Sequence, residues 1–190
     1  MGSYYSNDIS LEWGWPGTHH SNMPASSVTA DIGAAVSGRV VASVFRAQFD
    51  HTFDSMLHLV GARNGATISN FQMGVYLLTS VGATQSGSLV ARTANDPTAV
   101  TGGTYTTPTV PLSTSGGYPA SYTLQRGQWY ATGWLVVGTT TPQMYARAYT
   151  PYVSGPFDIG ILNGQTALPT SLSGFLWGSD ELAPYIALTP

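Results

Sequence analysis

The chain has 190 residues, 43% hydrophobic and 12% aromatic, with a formal net charge of −3. Charged residues make up 8%, against roughly 25% in an average soluble domain, and the chain contains neither lysine nor cysteine. This composition is too apolar for a disordered chain. It also rules out disulfides, thiolate zinc sites and a cysteine nucleophile. The six arginines are scattered, so no basic stripe is offered to nucleic acid.

The N-terminal MGSYYSNDIS has neither the basic nor the apolar region of a secretory signal. The Gly2 to Ser6 spacing fits a myristoylation pattern only superficially. Residues 1–38 carry no sustained period of 2 or 3.6. They hold Trp13 and Trp15 in LEWGWPG, then the His19-His20 pair, then a Ser- and Ala-rich stretch. Ser26 or Ser27 is placed to cap a short helix over Val28–Val36. Two tryptophans and a leucine within five residues point to an extended arm that docks on something through Trp13 and Trp15. The other reading is a loose terminus.

From Arg39 the pattern turns to β. Runs rich in Val, Thr, Tyr and Phe, divided by Gly, Asn-Gly and Asp-Pro turn signals, predict strands over Val40–Phe49, Phe53–Val60, Ile68–Ser80, Ser88–Thr93 and Tyr105–Leu112. They continue over Ser121–Leu124, Trp129–Val137, Met144–Tyr149 and Tyr185–Leu188. Short strands at this spacing indicate an all-β, antiparallel sandwich of jelly-roll type over residues 39–190. Thr150 to Pro184 reads as long loops over one end of that sandwich. No apolar run reaches the ~18 residues of a membrane-spanning helix, so no membrane insertion is expected.

Strand residues alternate faces. In one strand Phe71, Met73, Val75 and Leu77 oppose Gln72, Gly74, Tyr76 and Leu78. In another Trp129, Ala131, Leu135 and Val137 oppose Tyr130, Thr132, Trp134 and Val136. In a third Phe53, Leu57 and Leu59 oppose Met56, His58 and Val60. An antiparallel sandwich standing alone shows polar outer faces, yet here both faces are apolar. Leaving one leucine exposed forgoes about 1.5–3 kcal/mol, so something covers the second face. Irregular loops or the arm are one cover. Neighbouring copies are the other, and they make Met56, His58, Tyr76, Leu78 and Trp134 subunit-interface residues.

Chemistry is harder to find. His19 and His20 are adjacent, and His51 and His58 are seven apart, which suits no zinc site of three convergent ligands. There is no G-x-S-x-G. Of the nine acids, Asp50 and Asp54 bracket a turn in FDHTFD, Asp96 precedes a proline as a turn former and Asp180-Glu181 is a solvated loop pair, and none of the nine forms the flanking pair that glycoside hydrolysis needs. The expectation is a non-enzymatic protein without metal or cofactor. Trp129, Tyr130, Trp134, Tyr145, Tyr149 and Tyr152 are a candidate stacking surface for sugars, although aromatics in strands are more often core.

Three segments carry a resemblance. They are Gly74-Val75-Tyr76, Leu89-Val90-Ala91, and Gln125-Arg126-Gly127-Gln128-Trp129-Tyr130, with Ala167-Leu168-Pro169 a looser fourth. Together they resemble the small β-sandwich modules of bacteriophage tail fibres, tail-tip proteins and capsid fibres, over Arg39 to Pro190. The resemblance implies a structural virion protein, assembled in the host cytoplasm and carried on the extracellular particle. It further implies a homotrimer, an arm bound to other virion proteins, and contact with host surface glycans. No catalytic residues belong to that family, and none carry over. A carbohydrate-binding lectin-like module and a capsid decoration (cementing) protein are the alternatives.

Overall fold

Val, Tyr, Phe and Thr dominate the long regular segments, where branched and aromatic side chains suit a half-buried pleated surface. The computed structural model describes residues 20–21, 30–60, 67–81, 85–100, 108–147, 159–178 and 183–190. Side chains are described from Ala35 onward, except 145–147, 178 and 183–184. Among the described residues, fifteen strands follow in chain order. They are β1 (His20–Ser21), β2 (Ala30–Ala34), β3 (Arg39–Arg46), β4 (His51–Phe53), β5 (Ser55–His58), β6 (Thr67–Ser80) and β7 (Ser86–Arg92). After a 3-10 turn (Pro97–Val100) come β8 (Thr109–Pro111), β9 (Tyr122–Leu124), β10 (Trp129–Thr140) and β11 (Gln143–Arg147). The last are β12 (Ile159–Leu162), β13 (Leu176–Gly178), β14 (Ala183–Pro184) and β15 (Ile186–Thr189).

The main sheet has six strands in the order β13-β12-β3-β10-β6-β7. Its centre is β10, paired antiparallel with β3 (Trp134↔Val41) and with β6 (Gly133↔Gly74). The second layer is the sheet β1-β15-β5-β8, extended by the pair β4-β9 and by β14-β11-β2. All named pairings are antiparallel. The expected all-β antiparallel sandwich is therefore the observed class. The jelly-roll connection pattern is a finer statement that this strand order does not establish.

Two cores result. Between the layers, Val41, Phe45, Phe71, Met73, Tyr130 and Trp134 of the main sheet meet Phe53, Met56, Val110, Leu124, Ile186 and Leu188. On the other side of the main sheet, Val40, Val44, Tyr76, Leu78, Ala131 and Leu135 meet Leu168, Leu172 and Phe175. The alternation predicted for β6 and β10 matches this division residue by residue.

Three local expectations are corrected. Ala30–Ala34 is a strand, not part of a helix: its backbone pairs with β11 (Ala146↔Ala30), and such pairing outweighs weak helix propensity. β1 pairs with β15 (His20↔Leu188), so the described part of the 1–38 arm adds strands to the chain's own sandwich. Residues 159–178 are not loops over one end; they form two strands at the sheet edge, joined by a strap over a face. Trp13 and Trp15 lie outside the described residues.

Candidate binding surface

The expected interface residues have a clear place. Met56, His58, Tyr76, Leu78 and Trp134 are each at most 6% exposed within one chain. Met56 and Trp134 belong to the core between the layers. His58 packs its ring 4.8 Å from that of Phe71. Tyr76 and Leu78 lie on the opposite face of the main sheet. The expected cover by neighbouring copies is thus corrected at these positions: the chain covers them itself.

The cover of the second face is the strap, residues 163–175. It leaves the end of β12 where Arg39 Nε donates to Asn163 Oδ1 (3.0 Å) and Gln165 N donates to Gly38 O (2.8 Å). Over β6, Asn70 Nδ2 donates to Thr166 O (2.6 Å) and Leu168 N donates to Gln72 Oε1 (3.4 Å). At the far edge it pairs with β7: Leu89 N donates to Thr170 O (3.0 Å) and Leu172 N donates to Gly87 O (3.1 Å). Gly74 makes the descent of Leu168 possible. A Cβ there would sit 2.9 Å from Leu168 Cδ1 and 2.7 Å from Leu89 Cδ1. The strap therefore fills the apolar face and also pairs with the Gly87–Leu89 part of the β7 edge, which is otherwise a template for pairing with other chains. The edge strand β13, by contrast, carries Leu176 at 73% exposure.

Of the aromatic residues considered for sugar stacking, Tyr130 and Trp134 are buried between the layers. The Tyr145 side chain, Tyr149 and Tyr152 fall outside what is described. Trp129 remains, half-buried at the end of β10. Arg46, its cross-strand partner, holds its guanidinium carbon 6.0 Å from the indole centroid. Arg46 Nε also donates to Gly127 O (3.0 Å), and Gln48 Nε2 donates to Arg46 O (3.4 Å). The segment before β10 is tied to the end of β3 by Ala47 N to Gln128 O (2.9 Å) and Gly127 N to Ala47 O (2.8 Å). The result is one fixed corner with an indole face, a guanidinium and an amide.

Asp50, Asp54 and Asp96, the acids whose side chains are described, serve turns. Asp50 Oδ1 accepts from Arg126 N (2.7 Å), and Asp54 Oδ1 accepts from Ser55 Oγ (2.5 Å). Asp96 Oδ1 accepts from Thr98 N (3.0 Å), where it opens the 3-10 turn. His51 is buried, with Nε2 3.1 Å from Leu188 O. No group of three or more His, Cys, Asp or Glu placed to hold a metal occurs among the described residues.

A second constellation was not anticipated. Arg92 stacks its guanidinium carbon 5.0 Å from the Tyr118 centroid, beneath a turn that carries Gly116 and Gly117. Only the Gly-Gly signal marks it in the sequence, since Arg92 and Tyr118 are far apart in the chain. Neither a family model nor a curated protein matches this chain.

Proposed function

We propose that the chain is a non-enzymatic structural protein of a bacteriophage virion, a tail-fibre, tail-tip or capsid-appendage subunit. One observation carries this reading: the three segments that resemble phage β-sandwich modules fall on neighbouring strands. Gly74–Tyr76 and Leu89–Ala91 pair directly in β6 and β7 (Val75↔Ala91, Tyr76↔Leu89). Gln125–Tyr130 leads into β10, whose Tyr130 pairs with Leu77 of β6. They therefore form one contiguous patch of sheet, which supports reading them together as one module.

Trimeric assembly belongs to this proposal, through surfaces other than the five buried side chains. Exposed apolar positions at Val36, Phe49 and Leu176 are the places where such contact removes apolar area from water. Trp13 and Trp15 would dock the arm on other virion proteins. The test is mass spectrometry and gold-labelled antibody imaging of particles purified from the phage encoding the chain. The account expects stoichiometric chain at one fixed location on the particle. Intact particles without the chain would refute it. The Arg46–Trp129 corner favours a second reading, a lectin-like module; a monomer that binds a neutral purified glycan and is absent from particles would support it.

A further inference from the structure

Strand β12 ends at Leu162, and the strap opens with Asn163-Gly164-Gln165. Asn163 and Gly164 are both exposed. Gly164 holds φ of 74°, the left-handed region that glycine enters without steric cost. Nothing lies within 4 Å of a Cβ built there, so the backbone has room to turn. An asparagine followed by glycine carries its own nucleophile. Gly164 N is bonded to the Asn163 carbonyl carbon, so its attack on Asn163 Cγ closes a five-membered ring, and no second molecule has to be brought into place.

Two hydrogen bonds of this turn act on the two partners of that attack. Arg39 Nε donates to Asn163 Oδ1 (3.0 Å). Negative charge develops on Oδ1 when Cγ is attacked, and a fixed cationic donor there lowers the barrier as an oxyanion hole does. Arg39 is half-buried, so its charge is screened less than at an open surface. Gln165 Nε2 donates to Asn163 O (2.9 Å). That oxygen belongs to the same peptide group as Gly164 N. A donor on it stabilises the peptide anion, which makes the Gly164 N–H easier to deprotonate. The backbone keeps both donors in place, since Gln165 N donates to Gly38 O (2.8 Å), beside Arg39 in the chain.

We propose that Asn163-Gly164 is a self-modifying turn, at which the fold speeds deamidation of Asn163 through Arg39 and Gln165. Hydroxide removes the Gly164 N–H proton. The nitrogen lone pair forms the N–Cγ bond, and Oδ1 takes the negative charge. Collapse of that intermediate breaks the Cγ–Nδ2 bond, and Nδ2 takes a proton from water and leaves as ammonia. Water then opens the succinimide. Breaking the bond to Cγ gives aspartate at position 163, whose carboxylate faces Arg39. Breaking the bond to the main-chain carbonyl gives isoaspartate, which lengthens the main chain between β12 and the strap. The sum is amide plus water to carboxylic acid plus ammonia. The inference holds whether or not the chain is a virion protein.

The test is a timed incubation of the full chain at mildly alkaline pH, followed by cleavage at arginine and mass spectrometry. Cleavage after Arg147 frees a C-terminal peptide whose one asparagine is Asn163. Isoaspartate methyltransferase labelling and released ammonia report the same step. The reference is the same chain unfolded in guanidinium chloride, where both donors are lost. Conversion is expected to run faster in the folded chain than in the unfolded one. Arg39→Gln should slow the folded chain by about tenfold, the scale of one hydrogen bond from a charged donor. Gln165→Ala should slow it as well, and neither substitution should change the unfolded rate. A merely structural role gives the opposite sign, because loosening the turn frees the backbone and speeds ring closure. Slower conversion in the folded chain than in the unfolded chain would overturn the proposal. So would a folded-state rate that either substitution leaves unchanged or raises.

Discussion

Replacing Leu172 by alanine tests whether the strap holds the second core. Leu172 is 1% exposed and packs in the core beneath the strap. Buried Leu→Ala changes cost about 2–5 kcal/mol, the larger values arising where surroundings cannot collapse into the space. The strap is a loop at the surface and can settle partway, so about 2–3 kcal/mol is expected. For a chain of this size each kcal/mol lowers Tm by about 2–4 °C, which gives a fall of about 4–12 °C. Urea unfolding followed by tryptophan fluorescence reads the free energy, and calorimetry reads Tm. Thr170→Ala on the same strap is the control: its side chain is exposed, and a change within about 0.5 kcal/mol is expected. A Leu172→Ala effect as small as the control's would refute the packing of the strap on this face.

Further outcomes follow from the same contacts. Gly160→Ala places a Cβ 2.7 Å from Trp177 Cε3 and Cζ3; crowding of this kind costs about 1–3 kcal/mol, seen as a lower urea midpoint with an altered tryptophan spectrum. Burial pushes the Tyr122 phenol up to about 12, with the nearby Tyr130 adding to the effect. Burial, with a smaller contribution from Tyr118, raises Tyr76 beyond the ordinary tyrosine range. The folded chain thus keeps protons that the unfolded chain loses near the ordinary value of 10.0. Their contribution to stability is whole below about pH 10 and declines as pH rises through about 12. Phenolate absorbance recorded beside circular dichroism checks this: these two tyrosines should ionise late or together with unfolding, and ionisation near the ordinary value in a folded chain would contradict it.

The alternation of β6 and β10 was legible because a strand's period of two is carried by the residues themselves. Phe71, Met73 and Val75 separate from Tyr76 and Leu78 in the sequence as they do in the fold. What covers each face was not legible. When both faces are apolar, periodicity does not say whether the same chain or another supplies the cover. Leu168, Leu172 and Phe175 answer that question, yet they sit at spacings of four and three in a Pro- and Gly-bearing stretch that resembles a loop. The third strand shows a different limit. Asp54 interrupts β4 and β5, so Phe53 and Met56 both reach the same core, although strict alternation puts them on opposite faces. β2 was misread because its pairing partner β11 is over a hundred residues away, and no local signal encodes such a contact. The Arg92–Tyr118 corner depends on register for the same reason.

The central structural claim is that one chain covers both faces of its own main sheet. The chain has no cysteine, so a pair introduced by Ser88→Cys and Ser171→Cys is free of competing thiols. These residues form an antiparallel bridge between β7 and the strap. Antiparallel partners stand about 4.5–5.5 Å apart at Cα, inside the range a disulfide spans. After mild oxidation the account predicts loss of both thiols, with the chain still running as a monomer on a denaturing, non-reducing gel. Disulfide-linked oligomers, or thiols that stay free in the folded protein, would contradict it.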